Sequence, residues 1–135
     1  MPLYICNAGK GVLDGSAKAK IAQAITDIHC AVTGAPDLFV HVAFFEEAPL
    51  FPLEEKALFV RGTIRQGRTE EQKREIAETI RASLVNSGGV EAAQTEVLIR
   101  ETPASWVLEG GEIMPEPGEE AEWFAAHKAQ RTGGV

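Results

Sequence analysis

Two stretches of the chain carry apolar residues at the three- and four-residue spacing that predicts amphipathic helices. Their members are Ile21, Ala22, Ile25, Ile28 and Val32 in the first stretch, and Ile76, Ala77, Ile80 and Leu84 in the second. Asp14 precedes the first stretch, and Thr69 with Gln72 has the pattern of a capping box before the second. Gly34 and Gly88–Gly89 are placed to end the two helices.

Shorter apolar runs flank each helix and predict four strands. The runs are Leu3-Tyr4-Ile5, Val40 to Phe45, Leu58 to Ile64 and Val97-Leu98-Ile99-Arg100. A shift of 55 positions places Leu3 on Leu58, Ile21 on Ile76 and Gly34 on Gly89. We interpret this as a duplication, with units at about 2–47 and 57–102, because strand, helix and turn align at one offset. A coincidental match is the alternative.

The duplicated unit predicts an α+β fold built as a tandem β-α-β repeat. Strands within each unit should pair in parallel through a right-handed crossover, which gives a four-stranded sheet with both helices on one face. The other face would stay uncovered, and a bare apolar face favours self-association. We expect a single domain over residues 2–125.

A segment rich in Gly, Pro and Glu follows the second unit. It spans residues 103–124 and carries the large apolar residues Trp106, Met114, Trp123 and Phe124. We interpret it as an arm that packs on a neighbouring subunit. Residues 126–135 are expected to form a flexible tail.

Composition excludes several classes of partner. The net charge of -7 argues against nucleic acid and against an anionic membrane surface, since both require clustered Lys and Arg. No signal peptide or membrane span is visible, and Cys6 and Cys30 form no CxxC motif, so a cytoplasmic protein fits best. The three histidines are scattered and predict no metal, and no cofactor is indicated.

Pro2 is the candidate for chemistry at the N-terminus. A small residue in second position permits removal of Met1, which would leave the proline as a secondary amine. Such an amine titrates at roughly 7.7–8.0 in peptides, and burial or nearby cations would lower its pKa further. It could then exchange protons near neutral pH. An inert N-terminus is the alternative.

Four further residues could belong to an active site, and each could instead have no role beyond its place in the fold. Arg65 and Arg68 flank Gln66-Gly67 just before the second helix, where two guanidinium groups and backbone N–H groups favour a carboxylate; the alternative is a solvated basic loop. His29 lies beside the apolar stripe of the first helix and could be a core residue. Glu109 precedes two glycines and could be an exposed loop residue.

These residues, taken in order, resemble the cis-3-chloroacrylic acid dehalogenase group of the tautomerase superfamily. The matching motifs are Pro2-Leu3-Tyr4, the helix end Ala24 to His29, the loop Arg65-Gln66-Gly67-Arg68, and the arm from Glu109-Gly110 through Pro115-Glu116-Pro117-Gly118 to Glu122-Trp123-Phe124. The resemblance covers roughly residues 2–125. It implies a homotrimer of β-α-β-β-α-β subunits with sites near the subunit interfaces.

The resemblance also implies roles for the candidate residues. Pro2 would carry the proton, and Arg65 and Arg68 would hold a substrate carboxylate. His29 would bind substrate or help to place water, and Glu109 would activate that water. Leu98 departs from the pattern, since the dehalogenases carry a tyrosine in that strand. Water addition should therefore be weakened more than proton transfer.

Arg61, on the strand that leads to Arg65, is a further possible contact for the carboxylate. Trp106 and Leu108, close to Glu109 in the chain, would make the pocket more apolar.

Three functions remain open from the sequence. The first is enol–keto tautomerisation of a small 2-oxo or α,β-unsaturated carboxylate. The second is dehalogenation of a cis-3-haloacrylate, or hydration of an acetylenic acid, with water activated by Glu109 and His29. The third is a non-catalytic, cytokine-like trimeric binding protein, which retention of Met1 would favour.

Overall fold

The computed structural model describes residues 2–46, 56–116 and 118–133, with Glu109 and residues 128–133 described by their backbone alone. The residues outside these ranges include Met1, residue 47 at the end of the first predicted unit, residue 117 of the arm, and residues 134 and 135 of the predicted tail. Nine helices and strands stand in the described part of the chain. They are β1 (Leu3–Ala8), α1 (Gly15–Thr33), β2 (His41–Glu46), β3 (Leu58–Arg65), α2 (Glu70–Gly88), β4 (Thr95–Thr102), β5 (Leu108–Glu109), β6 (Glu112–Ile113) and α3 (Glu120–Gly133).

The predicted four-stranded sheet is confirmed, with strand order β2-β1-β3-β4. β1 pairs in parallel with β2, and β3 pairs in parallel with β4, as the two β-α-β units require. The units join through the antiparallel pair of β1 and β3, in which Leu3 stands opposite Thr63. This central pairing brings the start of β1, next to Pro2, close to the end of β3, next to Arg65.

The offset of 55 residues holds for the helices. α1 begins at Gly15 and α2 at Glu70, and each has 19 residues. The side chain of Asp14 accepts a hydrogen bond from the first turn of α1, and Thr69 with Gln72 forms the expected capping box on α2. Gly34 and Gly89 end the helices in the left-handed conformation, with φ of 74° and 66°, which glycine adopts without a steric penalty.

Both helices pack on one face of the sheet, around one apolar core. Alternate residues of each strand point into it, and both helices contribute their predicted apolar stripes. The fully buried members are Tyr4, Cys6, Ile21, Ile25, Leu58, Val60, Ile76, Ile80 and Leu84. The opposite face remains open in the single chain, where Leu3, Phe45 and Leu98 are each at least 40% exposed.

The segment after β4 differs from the expectation of an arm that contacts only a neighbour. Met114 is buried against Phe39 of the same chain, and Trp123 and Phe124 pack on this second, smaller core. The aromatic rings of Phe39 and Phe124 stack with their centroids 5.2 Å apart. Trp106, in contrast, is 75% exposed, so a surface for a neighbouring subunit remains.

The structure continues α3 to Gly133, through most of the segment predicted to be a flexible tail. Trp123 and His127 are one turn apart on this helix, and their rings stack at a centroid distance of 4.3 Å. Such a pair stabilises a helical turn, and the Ala, Glu, Lys and Gln residues around it also favour a helix. No helix in the described ranges has the length and apolar character needed to cross a membrane.

Candidate active site

Pro2 lies buried at the head of β1. Its carbonyl oxygen accepts a hydrogen bond of 2.9 Å from the backbone N–H of His41, the first residue of β2. The backbone of the proline is therefore fixed by the sheet. The antiparallel partner strand then runs past it toward Arg65, the last residue of β3.

A buried hydrogen bond joins Tyr4, two residues further along β1, to His29 on α1. The Tyr4 hydroxyl lies 2.8 Å from His29 Nδ1, and neither residue is more than 1% exposed. The rings meet edge to face, with centroids 5.8 Å apart. Gly62 of β3 provides the space, because a Cβ at that position would lie 2.5 Å from Tyr4 Cε1.

Burial keeps both members of this pair uncharged. It lowers the pKa of His29 to about 4, helped by the positive charges of Arg68 and Arg65. Burial likewise raises the pKa of the Tyr4 phenol. His29 is thus a neutral imidazole at pH 7 whose Nδ1 is occupied by the phenol, which leaves Nε2 as the ring nitrogen for a further partner.

Arg65 is buried, and each of its two terminal nitrogens bonds the segment that follows the sheet. Its Nη1 donates to the carbonyl oxygen of Pro115, and its Nη2 lies 2.5 Å from Glu120 Oε1. The Arg65 side chain is 2% exposed and that of Glu120 is 19% exposed. The pair ties the start of α3 to the end of β3.

Arg68 has far fewer contacts, although it stands only three residues after Arg65. The intervening Gly67 has a φ of 107° and turns the chain toward α2. One weak hydrogen bond of 3.4 Å runs from Arg68 Nη1 to the carbonyl oxygen of Thr33 at the end of α1. Its buried Nε finds no hydrogen-bond partner among the described residues.

The four residues Tyr4, His29, Arg65 and Arg68 form what we call the basic cluster. Burial lowers the pKa of Arg68, and the charge of Arg65 lowers it further, while Glu120 and Tyr4 oppose this shift. The antiparallel pairing brings the start of β1 and the end of β3 together, and Arg68 bonds α1 one turn after His29. Such a region can attract an anion and hold a polar group against a neutral imidazole.

Arg61 and Leu98, which the sequence analysis singled out, lie outside the basic cluster. Since Gly62 faces Tyr4, its neighbour Arg61 points to the opposite, open face of the sheet, where it is exposed. Leu98 pairs with Arg61 and shares that face. Tyr4 is therefore no substitute for the missing tyrosine at Leu98, because the two positions lie on opposite faces of the sheet.

Glu109 is placed by its backbone alone. It ends β5 and pairs with Glu112 of β6 in a short hairpin whose turn contains Gly110 and Gly111, both at positive φ. Its side chain lies outside the described part of the structure, so its role stays a prediction. No group of His, Cys, Asp or Glu that could hold a metal ion occurs within the described ranges.

Sequence reasoning missed two residues of this region. Tyr4 was named only as part of the first strand and of the motif Pro2-Leu3-Tyr4, with no role, although its alternation with buried Cys6 along β1 predicts a core position. Glu120 carried no signal, since it lies among other acidic residues and its contact with Arg65 spans 55 positions.

Comparisons with known proteins are consistent across sequence and structure. Residues 1–128 match a family model described as "Putative oxalocrotonate tautomerase enzyme". The chain is similar to the crystal structure of N1, a member of the cis-3-chloroacrylic acid dehalogenase family, with 28% identity, a TM-score of 0.85 and 96% of each chain covered. These matches confirm the resemblance drawn from the sequence motifs. Among curated proteins, none matches the chain.

Two further solved structures share the fold. The native structure of Ps01740 is 34% identical with a TM-score of 0.73, over 79% of this chain and 99% of that one. A fused 4-OT described as a symmetric trimer is 21% identical with a TM-score of 0.73, over 83% of this chain and 94% of that one. The second likeness shows the fold alone.

Proposed function

Because the chain belongs to the oxalocrotonate tautomerase family, we propose that it is an N-terminal-proline enzyme that interconverts the enol and keto forms of small 2-oxo carboxylates. The observation that carries the proposal is the basic cluster beside Pro2. Two arginines and a neutral histidine of this cluster lie near the end of the sheet at which the buried Pro2 precedes β1.

The proposed reaction needs one proton carrier and one anion site. With Met1 removed, the Pro2 nitrogen accepts the proton of the enol hydroxyl, the C2–O bond becomes a carbonyl, and the same nitrogen returns the proton to C3. Arg65 and Arg68 supply the positive field that draws the carboxylate toward Pro2. His29 Nε2 is available to hydrogen-bond the substrate oxygen, since the phenol of Tyr4 occupies Nδ1.

The proposal can be tested by replacing Pro2 and by measuring whether Met1 has been removed. Pro2→Ala should lower kcat/KM for phenylenolpyruvate at least about 100-fold, the scale of a lost general base, while the fold is retained by circular dichroism. Lys10→Ala, at an exposed position beyond the opposite end of β1, is the control and should keep full activity. Intact mass must show that Met1 is absent from the active protein. Full activity of Pro2→Ala, or of protein that retains Met1, would refute the proposal.

The similarity to N1 over 96% of the chain supports a second candidate, the dehalogenation of a cis-3-haloacrylate. Glu109 would activate water for attack at C3, and Pro2 would protonate C2. Halide release from cis-3-chloroacrylate distinguishes this chemistry from tautomerisation. We place it second because Leu98 provides no phenol at the position where the dehalogenases carry one.

We further propose that the protein is a homotrimer, on the basis of the open sheet face and the trimeric 4-OT of the same fold. Sedimentation equilibrium measures this directly, and a monomer would contradict it.

A further inference from the structure

We propose that Tyr4 is a positioning residue. Its phenol donates to Nδ1 of His29 and thereby fixes the hydrogen of the neutral imidazole on Nε2, from which it forms a hydrogen bond to the oxygen on C2 of the substrate. The inference rests on the proposed function and deepens it, because it states which ring nitrogen of His29 carries the hydrogen and what holds it there. Tyr4 acts only through His29.

The hydrogen bond between the two side chains is short, and both partners are held firmly. The Tyr4 hydroxyl lies 2.8 Å from His29 Nδ1, and both side chains are buried. Gly62 on the neighbouring strand leaves room for the phenol ring. On α1, the Thr33 hydroxyl donates to the carbonyl oxygen of His29 over 2.7 Å. The imidazole therefore has little freedom to exchange the phenol for another partner.

The direction of this hydrogen bond follows from the donors that each side chain has. A phenol carries one O–H donor, and among the described residues the hydrogen-bond partner of the Tyr4 hydroxyl is His29 Nδ1. If Nδ1–H donated to the phenol oxygen, the phenol hydrogen would be buried without an acceptor, which is costly. With the phenol as donor, both the O–H group and Nδ1 are paired. Only a lone pair of the phenol oxygen then stays unused, and unused acceptors are tolerated better than unused donors.

The hydrogen of the imidazole must then be on Nε2, because a neutral histidine has a single N–H group. Burial and the positive charges of Arg68 and Arg65 disfavour a second proton on the ring. The described residues provide no hydrogen bond to Nε2, so this nitrogen stays available to a ligand. His29 thus offers a ligand one N–H donor and no proton acceptor.

Such a donor suits the charge that develops in the proposed reaction. When Pro2 takes the proton of the enol hydroxyl, negative charge builds up on the oxygen attached to C2. A fixed N–H donor stabilises that oxygen more in the transition state than in the neutral enol. The hydrogen stays on Nε2 throughout, so a neutral imidazole performs this role without gaining or losing a proton. A hydrogen on Nδ1 would instead turn the Nε2 lone pair toward the same oxygen and repel its charge.

Nitrogen-15 NMR of protein labelled in its histidine rings measures the position of this hydrogen directly. The two-bond couplings to the ring C–H protons distinguish Nδ1 from Nε2, and His29→Gln identifies the signals of His29 by their loss. We expect His29 of the unmodified chain to carry its hydrogen on Nε2 alone at pH 7. In Tyr4→Phe, which keeps the aromatic ring and removes the donor, the hydrogen should be shared between the two nitrogens.

Kinetics then tests whether the position of the hydrogen matters for the reaction. Tyr4→Phe should lower kcat for phenylenolpyruvate about 10-fold and change KM less than about twofold, because the donor acts on charge that develops after binding. Thr95→Val is the matched control. It removes another buried hydroxyl, which donates over 2.7 Å to the Ala92 carbonyl at the end of the sheet opposite Pro2. It should leave the His29 signals and both kinetic constants unchanged.

Three results would overturn the inference: a hydrogen on Nδ1 of His29 in the unmodified chain, a Tyr4→Phe variant that keeps either the hydrogen on Nε2 alone or the full kcat, or equal effects of Tyr4→Phe and Thr95→Val. If Tyr4→Phe does not fold, the NMR spectrum of the unmodified chain still decides. That spectrum is measured without turnover. A hydrogen on Nε2 in a protein without tautomerase activity would support the role of Tyr4 and refute the proposed function, and activity with the hydrogen on Nδ1 would do the reverse.

Discussion

The buried His29 should make the stability of this protein fall in mild acid. The pKa of its imidazole is lowered to about 4 by burial and by the nearby positive charges, whereas the unfolded chain titrates near 6.5. Between these values the unfolded state binds a proton that the folded state does not, so stability falls as the pH drops. The contribution of His29 is fully present above about pH 6.5 and is lost as the pH falls toward 4.

The size of the effect follows from the pH interval. Each pH unit within the window corresponds to about 1.4 kcal/mol, so His29 should account for a loss of about 2 kcal/mol between pH 7 and pH 5. This figure requires only that the folded-state pKa lies below 5. Because His29 is 1% exposed, solvent screening does not reduce it appreciably.

The assay is urea unfolding at pH 7 and pH 5, with all samples at one protein concentration because association also adds to stability. His29→Gln keeps an amide that can bond the Tyr4 hydroxyl but does not titrate. It should lose about 2 kcal/mol less than the unmodified chain over this interval. Equal losses for the unmodified chain and His29→Gln would refute the reasoning.

Two further substitutions test the local structure. Gly62→Ala should destabilise the fold by about 1–3 kcal/mol in urea unfolding, because the new Cβ would lie 2.5 Å from the buried ring of Tyr4. Gly15→Ala is the control, since a Cβ at that position has open space around it. Equal stability of the two variants would contradict this account. Thr69→Ala should lower the free energy of unfolding by about 1 kcal/mol in the same assay, because it removes the capping box of α2. Thr69→Asp should restore most of that stability. An unchanged free energy of unfolding in Thr69→Ala would show that the cap contributes nothing.

The fold could be predicted because its signals are local. The caps at Asp14 and Thr69 and the stops at Gly34 and Gly89 lie within a few residues of the helices they bound. The repeat then doubled each observation, since a weak signal in one unit is supported by its counterpart 55 positions later. Strand pairing within each unit followed from the short connections and the handedness of the crossover.

The segment after β4 could not be predicted in the same way. Its small core joins Met114 to Phe39, which are far apart in sequence, and its last helix depends on contacts such as the stacking of Trp123 on His127. Acidic residues and glycines in this region suggested a loose end. The helix itself agrees with the local sequence, because residues 120–131 are rich in Glu, Ala, Lys, Gln and Arg, which favour a helix. The contact of Met114 with Phe39, in contrast, carried no local signal.

The two arginines show where sequence reasoning about the site reaches its limit. Arg65 and Arg68 flank one short loop and are chemically identical, so any local argument assigns them one role. They differ through partners 50 and 55 positions away, Pro115 and Glu120, which reach Arg65 because it ends a central strand beneath the start of α3. Arg68, beyond the turn at Gly67, does not contact these partners, and its Nε has no hydrogen-bond partner among the described residues. A basic loop thus becomes one structural arginine and one available for an anion, and that division follows from the fold of the C-terminal segment rather than from the loop itself.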